Sequence, residues 1–96
     1  MQLDAHGRLD LDCGIALNRI ATWLDADLAC PRNGDAWHFQ NEEAACTIEL
    51  TDLGSHALST HDAMQVQRTR LLATGNAQAI ESFYHQFVLR FISAGG

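Results

Sequence analysis

Five histidines, three cysteines and a close pair of arginines carry most of the chemistry open to this chain. His56 and His61 fall in a stretch that also holds Asp52, Ser55, Ser59, Thr60 and Asp62. Imidazole beside carboxylate can ligate a metal or move protons near neutral pH. Two such ligands share a helix face at a spacing of four residues and a strand face at an even spacing. His56 and His61 are five apart, so a metal site built from His56, His61 and Asp62 demands a specific loop shape. Solvated loop residues are the default reading. A serine triad drawn from Ser55 or Ser59 with His61 and Asp62 fares no better. There is no Gly-x-Ser-x-Gly elbow, and neighbours in sequence such as His61 and Asp62 point apart.

Arg68 and Arg70 share one face of a strand-like segment. Two guanidinium forks on one face can hold a carboxylate or phosphate, with His38 as a further ligand. The favoured alternative is cross-strand pairing with Glu49, the ordinary fate of arginines in an acidic protein. Cys46 with His38 forms a nominal thiol–imidazole pair, but Cys46 reads as an inward core position, where a thiol is inert. Cys13, Cys30 and Cys46 are odd in number and widely spaced, with no Cys-x-x-Cys or Cys/His ligand pattern. They read as reduced thiols behaving as small apolar residues. No cofactor is implied.

The elements that would position these residues follow from periodicity. Leu9 and Leu11 alternate with polar residues, giving a short edge strand over 8–12. Cys13, Leu17, Ile20, Leu24 and Leu28 then draw one stripe down a helix over 13–27, with Asp10 or Asp12 as its N-cap. Pro31 bars helix at Cys30, and Pro-Arg-Asn-Gly-Asp makes a turn over 31–35. Ala36–Gln40 is a strand with Trp37 and Phe39 on one face. After a turn at 41–43, Ala45–Thr51 is a second strand, with Cys46, Ile48 and Leu50 inward. Asp52-Leu53-Gly54-Ser55 reads as a break, and 56–60 as either strand or loop. Ala63–Thr74 is the longest strand, its alternation slipping between Val66 and Leu71 as if at a β-bulge.

Asn76 caps a last helix running from Ala77 to about Ser93. Ile80, Phe83, Tyr84, Phe87, Val88 and Phe91 cover a wide arc that only a sheet can bury. The fold is therefore α+β, of order (β)-α-β-β-β-α: a two-layer arrangement of an antiparallel sheet with two helices packed on one face. Leu89 lies opposite the phenylalanine arc, with His85 and Ile92 beside it. These three form a candidate interface, either for a homodimer or for another protein partner. The bland alternative is a single exposed leucine.

Gly95-Gly96 resembles the C-terminus of ubiquitin-like sulfur carriers, and that resemblance implies an activated terminal carboxylate. It covers two residues and follows a helix where those carriers have a strand; a glycine helix cap is the alternative.

Ninety-six residues fit one domain over 1–96, and 47% hydrophobic with 19% charged residues is a folded composition. Net charge is −6, which repels phosphate backbones and argues against nucleic acid or an anionic membrane as partner. Neither a leader-like start nor an apolar run of about 20 residues is present, so a cytoplasmic setting is expected. With no catalytic motif, a non-enzymatic interaction or dimerisation module is the leading expectation. A protein or enzyme binding small anions or metals is second, and a Gly-Gly carrier third.

Overall fold

The computed structural model describes residues 3–57 and 65–92. Strand β1 spans Leu9–Cys13, helix α1 Leu17–Thr22, β2 Arg32–Asn33, β3 Ala36–Asn41, β4 Ala44–Ala57, β5 Gln65–Gly75 and α2 Ala77–Phe91. A π-helical turn, Trp23–Asp27, extends α1. The sheet order is β1-β5-β4-β3-β2, and every pairing is antiparallel. The α+β class and the broad order of elements agree with the sequence reading. No helix among the described residues is long and apolar enough to cross a membrane.

The first helix is shorter than its apolar stripe predicts. Cys13 closes β1, and Asp10 and Asp12 lie on that strand instead of capping a helix. Ala16 occupies the N-cap without a side-chain hydrogen bond. Ile20 and Leu24 are buried, while Leu17 and Leu28 pack against the core from its margin. Cys13 fits the helical stripe by spacing, yet it equally continues the Leu9/Leu11 alternation, and pairing with β5 decides the matter. At the far end Ala29 takes a left-handed φ of 51°. There the Cys30 N–H donates to the Leu24 carbonyl at 2.9 Å, before Pro31 ends any helical path.

The apparent break at 52–55 is no break. β4 runs through it to Ala57 by setting Asp52 opposite Thr69 and Gly54 opposite Arg68, which leaves Leu53 as the extra residue of a bulge. Gly54 supplies the positive φ of 87°, and the Asp52 carboxylate accepts its N–H at 2.8 Å. The bulge expected on β5 therefore sits on its partner. β5 itself alternates evenly, with Thr69, Leu71 and Ala73 all buried. The inward residue at 69 is polar, which disguises the period. Its hydroxyl donates to the Ile15 carbonyl at 2.6 Å and so tolerates burial. His56 and Ala57 belong to β4, whereas 58–64 and 93–96 lie outside the described residues.

The inward face of the sheet presents Leu9, Trp37, Phe39, Cys46, Ile48, Leu50, Leu71 and Ala73 to Ile20, Trp23, Leu24, Ile80, Phe83 and Phe87 of the helical layer. Trp23 sits between the helices, its ring 5.8 Å from Phe83, 6.1 Å from Phe87 and 5.3 Å from Phe91. Offset and edge-on pairs at such distances add to the gain from burial itself. Asn76 caps α2 as expected, its carbonyl oxygen accepting from the N–H groups of Gln78 and Ala79.

Gly75 joins β5 to α2 at a φ of 125°, where an added Cβ would stand 3.0 Å from both the Ala45 carbonyl oxygen and the Cys46 Cα. Both obstacles are backbone, and the conformation is one that side chains rarely adopt. Gly75→Ala is therefore expected to destabilise the fold by about 1–3 kcal/mol. The measurement is a lowered urea midpoint at unchanged slope; an unaltered midpoint would show the joint to be slack.

Candidate functional site

Because Thr69 and Leu71 point inward, Arg68 and Arg70 project from the opposite face of β5. On β1, the register places Asp12 beside Arg70 and Asp10 beside Leu72. Each arginine reaches diagonally by two residues to the next carboxylate. Arg70 donates Nε to Asp10 Oδ1 at 3.0 Å and Nη2 to Oδ2 at 2.8 Å. Arg68 donates Nε to Asp12 Oδ1 at 3.1 Å, and its Nη2 donates to Oδ2. Both forks are thus taken, and the partner is β1, not Glu49. Glu49 lies opposite Leu72 and acts on Arg70 only as the weakest of the influences raising its pKa. His38 does not join the arginines. It is exposed on β3 opposite Thr47, two strands from Arg70 and four residues along, about 13 Å in the strand direction alone.

The thiol–imidazole pair does not form either. Cys46 stands opposite Phe39 and is 3% exposed, while His38 points to the other face. Burial pushes the Cys46 thiol up to about 11, with Cys30 adding to the rise. Burial does the same to Cys13, helped by Asp12. Among the described residues no group of three His, Cys, Asp or Glu side chains could hold a metal. His56 is on β4 opposite Val66; His61, Asp62 and Gly95-Gly96 lie outside the described residues.

The residues of α2 and its C-cap singled out by helical angle are at the surface. His85 is exposed, Leu89 is 54% exposed and Ile92 57%. A neighbouring feature escaped the sequence reading. Leu11, Cys13 and Ile15 line one groove with Tyr84, Phe87, Phe91 and Ile92, enclosing about 460 Å³. The signal was present in the Leu9/Leu11/Cys13 alternation, but assigning Cys13 to a helix hid it. A second, shallower hollow of about 610 Å³ runs over Glu81, Ser82, Tyr84, His85 and Val88. Comparison with family models, curated proteins and solved structures gives no match. The surface must therefore be read from its own chemistry: paired charges on the outer sheet face, and unpaired apolar area along α2 and beside β1.

Two outcomes follow. Cys46 should resist alkylation at neutral pH in the folded chain and react readily once urea unfolds it, since a buried protonated thiol is a poor nucleophile. Equal rates in both states would contradict its placement. Asp10 is held below the ordinary carboxylate value of 3.8, chiefly by the hydrogen bonds from Arg70, which outweigh the opposing effect of desolvation, and further by the charge of Arg70. A depressed carboxylate contributes its stability fully above the unfolded value and loses it as pH falls through the folded one. Asp10→Asn should thus be less stable than the parent at neutral pH, and the two urea midpoints should converge below about pH 4. A constant gap down to the acid limit would refute the ion pair's role.

Proposed function

We propose that this chain is a non-enzymatic interaction module that self-associates through the outer face of α2, with His85, Leu89 and Ile92 at the contact. The observation that carries the reading is the exposure of Leu89 on α2 and of Ile92 at its C-cap, beside a helix whose other side is buried in the core. Spacings of four and three residues from His85 to Leu89 to Ile92 match the seam of two helices packed side by side. A two-fold axis across such a strip lets the same patch serve both copies. Exposed leucine and isoleucine together cost solvation that a second copy removes. The small-anion reading loses its best support, because both arginine forks already hold carboxylates. Three free thiols suit a reducing, cytoplasmic setting.

Sedimentation at micromolar concentration is expected to show a dimer. Leu89→Asp should weaken it by about 2 kcal/mol, roughly thirtyfold, without lowering the melting temperature of the monomer. A monomer at all concentrations, indifferent to that substitution, would reject this face as the interface.

A further inference from the structure

β1 is an edge strand. β5 pairs with one side of it, and among the described residues no main-chain group takes up the ladder positions of Leu9–Cys13 on the other. A row of free N–H and C=O groups is best satisfied by an extended segment laid alongside. The groove of about 460 Å³ lies at this edge, lined by half-buried Leu11, Cys13 and Ile15 and by Tyr84, Phe91 and Ile92 of the helical layer. A strand added to β1 points every second side chain to the groove side and the others to the outer face of the sheet. On that outer face stand Asp10 and Asp12, whose side chains are 37% and 48% exposed even with Arg70 and Arg68 bound. The arginines approach from β5 and bond both oxygens of each carboxylate, and each oxygen keeps a second lone pair that can accept a further donor.

We infer that β1 and α2 form a peptide-binding cleft that takes, by strand addition, an extended segment of another protein in which apolar and basic residues alternate. The backbone edge requires the extended shape, the groove selects apolar residues at alternate positions, and the two aspartates select cations between them. Charge also weighs against a second copy of this chain paired over the full length of β1. Antiparallel pairing of two β1 strands about Leu11 sets Asp10 opposite Asp12 of the second copy twice over, and like charges directly opposite are destabilising. A lysine or arginine there adds an attractive contact to each carboxylate, and the net charge of −6 draws a basic segment toward the edge. This cleft meets the proposed helix contact only at Ile92 and does not require the chain to dimerise.

The test uses the whole chain and a short fluorescein-labelled peptide of alternating lysine and valine, read by fluorescence anisotropy and amide hydrogen exchange. The peptide is expected to bind saturably and to slow exchange at the outward amides of Leu9–Cys13. A glutamate–valine counterpart should bind about tenfold more weakly or worse, since two exposed ion pairs turned repulsive amount to that factor. Two further peptides carry N-methyl groups, one on every lysine nitrogen and one on every valine nitrogen. Strand addition requires one of the two to lose binding and the other to keep it, because only alternate N–H groups face β1. Lack of saturable binding by the lysine–valine peptide, equal binding by the glutamate peptide, or indifference to both methylations would overturn the proposal. So would outward β1 amides already protected in a peptide-free dimer, which would assign the edge to a second copy.

Discussion

The indole of Trp23 lies within 6.1 Å of three phenylalanine rings on α2, and much of the molecule hangs on that contact. A sheet with one apolar face must be covered, and α1 is only six residues long. Its π-helical extension carries Trp23 and Leu24 into the gap beside α2. The same turn presents Asp25, whose carboxylate accepts the buried Trp37 N–H at 2.8 Å and meets Arg32 at 3.3 Å. Arg32 in turn stacks over the Trp37 ring at 4.5 Å. One turn of helix thus fixes both its neighbours, the partner helix through apolar rings and the far edge of the sheet through a polar tie. Truncating an aromatic so placed typically costs about 3–5 kcal/mol. Once Phe83 and Phe87 are committed to this cluster, helical geometry turns Leu89 outward.

The outer face of the sheet is organised by different means. On that side β1 presents Asp10 and Asp12, and a slip of one residue would expel Leu9 from the core. The two diagonal Asp–Arg forks repeat every second residue and hold the strand in the register that buries it. Exposed ion pairs add little to stability, so their service is to specify the pairing. Asp10 and Asp12 can do this only as members of a strand.

The sequence made some of these features plain and concealed others. Ala-Trp-His-Phe-Gln and the Cys46/Ile48/Leu50 alternation read correctly as strands because apolar period two has no competing interpretation there. Asn76 and the phenylalanine arc defined α2 for the same reason, and the angle of Leu89 came with them. Asp10 and Asp12 misled, since a carboxylate before an apolar helical stripe is equally a cap and a strand residue. Asp52-Leu53-Gly54 carries the chemistry of a turn, and only the partner strand converts it into a bulge. Thr69 broke the apolar pattern of β5 because its acceptor, the Ile15 carbonyl, is 54 residues away. The arginines' partners were out of reach for a like reason: they lie 56 and 60 residues distant. Local spacing reveals elements; pairings across that distance depend on register.

The arginines also govern what the surface has left to offer. The chain contains six basic residues, all Arg. Arg8 meets Asp4 at 3.0 Å, Arg32 meets Asp25, Arg68 and Arg70 meet Asp12 and Asp10, and Arg90 approaches Asp27 at 4.0 Å. The sixth, Arg19, lies over the Phe91 ring at 5.6 Å. Every arginine thus has an internal partner, while the acids outnumber them twelve to six. To bind an anion through a guanidinium the molecule would have to break one of these contacts. Among the described residues, the apolar surface at Leu89, Ile92 and the groove beside β1 is exposed with no such contact to break. The proposed contacts therefore draw on apolar and acidic surface, which follows from how the charges are paired and not from any single residue.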